Sequence, residues 1–400
     1  MNVKKTLDTK SLLPKEEMLE VKPGFKSLEI GIPKESSFQE NRVSLTPDSV
    51  GVLVANGHSV IIEKDAGLSA NFSDDEYISK GAHIASSNNE VFKANYILKI
   101  EPPTDDELSL MSDSQVLISA LQMNTRSVNF FEILNKKRLT ALAFELIKDQ
   151  HNKLPFVRIM SEIAGNTSML IAGEYLSTAN NGKGLMLGGV SGLIPTSVVI
   201  IGAGTVGEYA CRTALGLGSS VVVFDDSVTK LRRMQNNINS RISTSTMQPK
   251  VLSKALKRAD VVIAALQIGN GRVPCVVSDH MVQSMKSGSI VIDVSIDHGG
   301  CFETSEVTSH KKPVFVKHDV IHYCVPNIAS RVARTASLSI SNLLTPILIG
   351  IGDLGGIDNA IRKNEFLRSG IYNYNNKYTN KILSKNFNLS YYDLNLLMGE

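Results

Sequence analysis

The chain has no tryptophan and only four cysteines, Cys211, Cys275, Cys301 and Cys324, set far apart. No C-x-x-C pair occurs and no histidine spacing completes a zinc set, so neither a disulfide framework nor a metal site is expected. The four read as reduced cytosolic thiols packed among apolar neighbours. An excess of one charge is lacking as well: 42 Lys and Arg stand against 39 Asp and Glu, a net charge of +3. With no basic tail and no interleaving of aromatic and basic residues, a nucleic-acid partner is excluded. The longest apolar runs, such as Ile347 to Ile351, fall far short of the ~18 residues that a membrane span needs. The N-terminal stretch MNVKKTLDTKSLLPKEEMLEVK mixes both charge signs and has no apolar h-region. It reads as a frayed extension or an oligomer contact, and the expectation is a soluble cytoplasmic protein with no membrane partner.

What the chain does have is a regular alternation of short apolar runs with helix-length amphipathic segments, the pattern of an α/β protein. Its 400 residues suggest two or three domains. In the first part the spacing predicts strands at 28–32, 60–63, 96–100, 115–119 and 139–144. A helix begins near Thr46, which serves as its N-cap with Pro47 at the first position. Residues 161–177 read as a helix and the glycine-rich 180–197 as a connection. Strands follow at 198–201, 221–224, 260–265, 289–294 and 314–316, with helices near 205–217, 251–258 and 279–286. The segment 330–349 has helical spacing and is expected to cross back to the first domain. No repeat of 20–50 residues is visible.

One stretch carries a ligand as well as a fold: VVIIGAGTVGEYACRTALGLGSSVVVFDD, residues 198–226. Val198 to Ile201 suit a buried strand, and Gly202, Gly204 and Gly207 follow in G-x-G-x-x-G spacing. Gly202 permits a tight turn, Gly204 lets backbone approach a pyrophosphate, and Gly207 lets the helix that starts near Thr205 pack closely on the strand. The unpaired N–H groups of that helix start favour an anion. Val221 to Phe224 form a second strand ending in Asp225, about 20 residues past the glycines, where a carboxylate accepts hydrogen bonds from ribose hydroxyls. Asp225 favours NAD over NADP, although Arg232 and Arg233 lie close after it. Ala203, Val206 and Leu266 are counted with Gly202, Gly204, Thr205 and Gly207 among the cofactor-contacting residues.

Two α/β domains place the chemistry in the cleft between them, at the carboxyl ends of the strands. In GIPKESSFQENRVSLTP, residues 31–47, Arg42 follows a strand and precedes a helix, where its planar fork can clamp a carboxylate. On these residues alone a surface arginine is an equal reading. Asp297, beyond the strand at 289–294 and followed by His298 and two glycines, can manage protons near a nicotinamide or simply cap a turn.

The segments GIPKESSFQENRVSLTPDSVGVLVANGHSV, RIMSEIAGNTSMLIAG, VVIIGAGTVGE and IDVSIDHGGCFETS, in this order, resemble the alanine dehydrogenase and pyridine nucleotide transhydrogenase alpha-subunit family over roughly residues 28–350. The resemblance implies two Rossmann-like domains with a cleft between them, a doubly wound parallel sheet in the NAD domain, and a cytoplasmic homo-oligomer, a hexamer in the dehydrogenases. It makes Arg42 the clamp for the substrate carboxylate, Asp297 the catalytic aspartate, and Asn327 and Met160 residues lining the nicotinamide and substrate. The chain also departs from the family. Where the dehydrogenases carry a lysine after the third strand, this chain holds Glu101, and where they carry a histidine it holds Gln122, which neither gives nor takes a proton at neutral pH. Lys99 lies two residues earlier, and a register shift would bring it into the site.

The expected division is residues 1–155 with 335–400 as the substrate domain and 156–334 as the NAD domain. The expected reaction is NAD-dependent, reversible oxidative deamination of L-alanine or a similar small L-amino acid. Asp297, Gln122 and Lys99 are the catalytic candidates, and Arg42, Asn327 and Glu101 the substrate-binding ones. The alternatives are a transhydrogenase-like carrier, a saccharopine- or opine-type dehydrogenase, and a non-catalytic NAD-binding homologue. Residues 370–400 either pack on the first domain or a neighbouring subunit, or form a partly ordered tail.

Overall fold

The computed structural model describes residues 24–37, 39–267 and 271–399. The N-terminal extension up to residue 23, expected as a frayed end or an oligomer contact, lies outside the described residues. In chain order the strands are β1 (Glu29–Ile32), β2 (Ser59–Glu63), β3 (His83–Ala85), β4 (Tyr96–Leu98), β5 (Val116–Ser119), β6 (Thr140–Ala143), β7 (Ser197–Ile201), β8 (Ser220–Phe224), β9 (Ser243–Ser245), β10 (Val261–Ala264), β11 (Ile290–Asp293), β12 (Val314–Lys317), β13 (Val320–Tyr323), β14 (Ile371–Tyr374) and β15 (Lys377–Tyr378). They form two sheets, ordered β15-β14-β6-β5-β4-β1-β2-β3 and β12-β13-β11-β10-β7-β8-β9. The architecture is thus mixed α/β with two parallel sheets, each turned antiparallel at one edge by β14 and β15 or by β12.

The strands are short because helices cover both faces, and β5, β6, β10, β11 and β13 are buried at every residue. Such strands read as continuous Val, Ile, Leu and Ala rather than as alternation. In both sheets the strand order reverses at one place: between β1 and β4 in the first, and between β7 and β10 in the second. A crevice opens at such a reversal beyond the carboxyl ends of the strands, and both crevices contribute to one cavity.

Most expected elements are present with shifted bounds. The helix expected at 161–177 begins at Pro155 and runs to Leu176. The helix expected at 279–286 stops at Gln283. Thr46 occupies the N-cap of the Pro47–Ala55 helix, but its side chain does not cap it. The hydroxyl turns instead to Ser341 Oγ at 3.3 Å, because the long helix Ala333–Asp353 packs there and offers a nearer partner. Strands β3, β9, β13, β14 and β15 go beyond the expectation. β13 follows β12 through His318 and Asp319, both at positive φ, a two-residue turn too brief to read as a break in the sequence.

Judged over a window rather than as an unbroken apolar run, Ile328–Asp353 is long and apolar enough by length and composition to cross a membrane. Half of that window is buried inside the protein. Three serines on this segment accept backbone N–H groups of one loop: Ser330 from Asn41 at 2.9 Å, Ser337 from Val43 at 2.9 Å and Ser341 from Thr46 at 3.0 Å. A helix so engaged is a core element, and it returns the chain from the second sheet to the first. Cys211, Cys301 and Cys324 are buried and unpaired, with burial pushing the Cys211 and Cys324 thiols up to about 12; Cys275 is exposed, against the packed position expected for it.

The C-terminal stretch packs on the first sheet. β14 pairs antiparallel with β6, and the fully buried Tyr372 meets Phe131 edge-on with ring centroids 6.4 Å apart. Tyr372→Ala should therefore cost about 3–5 kcal/mol, read as a lowered denaturant midpoint. A loss below roughly 1 kcal/mol would show that this hairpin does not belong to the core.

Candidate active site

The cavity at the two crevices has a volume of about 1010 Å³, at the upper end of the range for small-molecule sites. One wall comes from the second sheet. β7 ends at Ile201, and the chain turns through Gly202, at φ 114°, into the helix Thr205–Gly216, whose N-cap is Gly204. A Cβ on Gly207 would sit 1.9 Å from the Gly202 carbonyl oxygen, and one on Gly202 would sit 2.4 Å from the Ala265 carbonyl oxygen. Those two glycines are required by packing. Gly204 differs: a Cβ there would meet no protein atom within 4 Å, because it would point into the cavity. A helix start with no side-chain cap, and with open space over its first glycine, is a cradle for a phosphate group.

Asp225 follows β8 and shapes this bend. Its Oδ2 accepts the Ala203 N–H at 2.8 Å and its Oδ1 the Ser227 N–H at 2.8 Å, while Arg233 donates to the Ala203 carbonyl at 3.1 Å. Of the expected cofactor residues, Gly204, Thr205, Val206, Asp225, Leu266, Met160 and Asn327 line the cavity. Gly202, Ala203 and Gly207 are not among its lining residues and act through the backbone behind it; Ala203 is fully buried. The fit to an adenine dinucleotide is therefore good: an open phosphate cradle, a carboxylate at the end of the second strand and an apolar wall of Met160 and Leu266.

The facing wall comes from the first sheet. After β1 the chain runs without regular structure to Pro47, and it is held by the serines described above. Arg42 is buried there. Its Nε donates to Glu40 Oε1 at 2.7 Å, Nη2 to Glu40 Oε2 at 2.5 Å and Nη1 to Met160 Sδ at 3.4 Å. A guanidinium carries more donors than these bonds use, so the fork keeps N–H groups for a ligand in the cavity it lines. Glu40 also accepts Asn327 Nδ2 at 2.8 Å. Burial alone would raise the Glu40 carboxyl, but the Arg42 fork and the Asn327 amide outweigh it and hold it below the usual carboxylate value.

Glu101 lies in the same wall, its carboxylate 3.9 Å from Arg42 Nη2. Burial, reinforced by the negative charge of Glu40, pushes it up to about 7 in spite of Arg42. Opposite, beyond β11, Asp297 accepts the Asn327 N–H at 3.0 Å, and burial raises its carboxyl above the ordinary value. Gln122, in a left-handed conformation with φ 42°, lines the cavity too.

Lys99 does not join them. It is buried and bonded to Glu107 at 3.1 Å and Glu35 at 3.3 Å. Burial would discharge it, but these two carboxylates hold it charged and above the ordinary lysine value. The backbone of Lys99 and Ile100 still bonds to β5, through the Lys99 N–H to the Ile118 carbonyl and the Ala120 N–H to the Ile100 carbonyl, both at 3.0 Å, but the Lys99 side chain is drawn to Glu35 and Glu107 and does not line the cavity as Glu101 does. Two acids went unread in the sequence. Glu40 sits two residues before Arg42 in an extended loop, a spacing that can bring both side chains to one side. Glu145 follows β6 at a carboxyl strand end, the position that singles out Asp297; it accepts the Leu121 N–H at 2.7 Å and burial pushes it up to about 6.

A dinucleotide cradle facing a buried arginine fork and flanked by carboxyls defines a two-domain, nicotinamide-dependent oxidoreductase. The family descriptions "Alanine dehydrogenase/PNT, N-terminal domain" and "Alanine dehydrogenase/PNT, C-terminal domain" match residues 31–164 and 168–381. The chain belongs to this family. It is 36% identical over 364 residues to an alanine dehydrogenase of Methanococcus maripaludis, covering 90% of this chain and 97% of that protein. It is 34% identical over 365 residues to one of Staphylococcus haemolyticus, covering 91% and 97%. Among solved structures, an L-alanine dehydrogenase superposes with a TM-score of 0.84 at 33% identity over 90% of this chain and 99% of its own. A transhydrogenase from Sinorhizobium meliloti, 22% identical, shares the fold with a TM-score of 0.75, covering 88% and 99%.

The contrast among the glycines gives a test. Gly204→Ala should leave thermal stability unchanged within about 0.5 kcal/mol, yet weaken NADH binding at least about tenfold in a fluorescence titration. Unchanged affinity would remove the phosphate from this bend.

Proposed function

We propose that the chain catalyses the reversible, NAD-dependent oxidative deamination of L-alanine, or of a similarly small L-amino acid, to the 2-oxo acid and ammonia. The observation that carries this reading is the single cavity that joins the Gly204 helix start to the Arg42 fork, with Asp297 also lining it from the nucleotide side. The bound coenzyme supplies a nicotinamide ring that accepts hydride from the substrate Cα. The chain's own residues do the rest. Arg42 holds the substrate carboxylate with the N–H groups that Glu40 leaves free, fixing the orientation of Cα. Met160 and Leu266 form the apolar surface for the ring and exclude water from it. Asp297, with a carboxyl raised by burial, takes a proton from the water that hydrolyses the imine. Gln122 contributes amide hydrogen bonds and no proton.

Asp225 at the end of β8 supports NAD as the coenzyme, since a 2′-phosphate would meet its carboxylate. In this reading residues 24–155 with 335–399 hold the substrate and 156–334 the nucleotide. The likeness to alanine dehydrogenases supports a cytoplasmic homo-oligomer, a hexamer, that acts on small molecules without a nucleic-acid or membrane partner.

The deciding assay is NADH formation at alkaline pH over a panel of L-amino acids, with coenzyme binding measured in parallel. Alanine should be turned over, and coenzyme binding without turnover of any amine would overturn the proposal. Asp225→Ala should lower the preference for NADH over NADPH at least about tenfold, read as the ratio of their dissociation constants so that any loosening of the Ala203 bend cancels. An unchanged ratio would relieve Asp225 of that role.

A further inference from the structure

We propose that Glu101 is the group that takes the proton from the substrate's ammonium before oxidation and returns it in the reverse direction. The proposal rests on the amino-acid reading above and adds a catalytic residue to it. An α-amino acid carries its carboxylate and its ammonium on neighbouring carbons. With the carboxylate on the Arg42 fork, the ammonium must fall close beside it, and the carboxyl found there is that of Glu101, 3.9 Å from Arg42 Nη2 and lining the cavity.

The other acids are placed differently. Glu40 accepts the Arg42 backbone N–H, two guanidinium N–H groups and the Asn327 amide, which fixes it as a carboxylate. Glu35 accepts the Ile100 N–H and pairs with Lys99; burial pushes it up to about 7 as well, but it lies behind the wall and does not line the cavity. Asp297 stands on the opposite wall with the Asn327 N–H on its Oδ1 and His298 next in sequence. Glu145 is turned to the Leu121 N–H, and its second oxygen is buried without a partner. Among the described residues no N–H group donates to the Glu101 carboxylate within hydrogen-bond distance. Burial opposes its ionisation first, and of its charged neighbours Glu40 and Glu35 oppose it while Arg42 favours it. A carboxyl balanced in this way near neutrality suits proton exchange, whereas one locked as an anion does not.

The step balances. One N–H bond of the ammonium breaks and leaves its electron pair on nitrogen, and one O–H bond forms on Glu101. The positive charge of the ammonium and the negative charge of the carboxylate vanish together, which favours the exchange in a buried site. The free pair on nitrogen is what the later loss of hydride from Cα requires.

The test compares the wild-type chain with Glu101→Gln and Glu101→Asp. For wild type, kcat/KM for L-alanine should rise with pH through a midpoint of about 7, since the base must be ionised. Glu101→Gln should lose that limb and about 10²–10⁴-fold in rate while binding NADH as wild type does, and Glu101→Asp should restore the limb in part. Independently of turnover, protein labelled with ¹³C at the glutamate carboxyls should show several resonances titrating near neutrality, those of Glu35 and Glu145 among them, of which one is missing from Glu101→Gln. A Gln variant with wild-type rate and pH profile, or a Glu101 resonance titrating in the ordinary carboxylate range, would overturn this inference and leave the amino-acid reading standing. No turnover of any amino acid by the wild-type chain would overturn both.

Discussion

A guanidinium removed from water needs a counter-charge beside it, and much of the site follows from how Arg42 obtains one. Arg42 and Glu40 are both almost fully buried and joined by a bidentate contact, the geometry that best offsets the loss of hydration. Once Glu40 is committed as an anion, the next carboxyl in the wall, Glu101, meets a negative charge it cannot share the arginine against. Burial raises its affinity for a proton, and this charge raises it further. Burial and charge crowding together thus bring an ordinary glutamate close to neutrality. Lys99 does not relieve this crowding, because Glu35 and Glu107 already claim it.

The loop that carries Glu40 and Arg42 has no regular structure of its own, so its backbone donors must find acceptors elsewhere. They find them on the returning segment, where Ser330, Ser337 and Ser341 accept the N–H groups of Asn41, Val43 and Thr46. Each such bond contributes only about 1 kcal/mol net. Leaving the donors buried and unmet would cost more, so the serines fix the position of the arginine as much as they stabilise the fold. They also settle what the helix is. By composition it could be a membrane span, but side-chain hydroxyls bonded to a loop of the first domain belong to a packed interior.

Much of this was legible in the sequence where the signal is local. The glycine spacing, the preceding apolar run and Asp225 are set by one strand, one turn and the next strand, and the structure has them in that arrangement. The parallel sheets were legible because strands buried on both faces must be apolar throughout. What escaped depends on residues distant in sequence. Nothing near Thr46 indicates that Ser341 will draw its hydroxyl away from the helix it precedes. Lys99 looked movable into the site because the sequence shows its strand position and not its carboxylate partners. Its true partners lie on two other segments. Glu40 and Glu145 drew no notice because a glutamate in a loop is ordinarily solvated, and only the fold buries these two.

The two halves of the site are also joined directly, and one residue bonds to an acid on each. Asn327, after β13, holds φ 55° and ψ 50°, a left-handed conformation that asparagine tolerates better than most side chains. In that conformation its backbone N–H reaches Asp297 of the nucleotide wall while its side-chain amide reaches Glu40 of the substrate wall. A single residue therefore bonds to Asp297 and to the acid that holds the arginine fork. Asn327 thus ties the Arg42–Glu40 pair to Asp297, alongside the contacts of Arg42 with Met160 and of Gln39 and Asn41 with Ser330. Loss of the Asn327 contact to Glu40 would leave that buried carboxylate with one donor fewer and raise its affinity for a proton. Cleft geometry and the protonation of the substrate wall are in this way linked through one side chain.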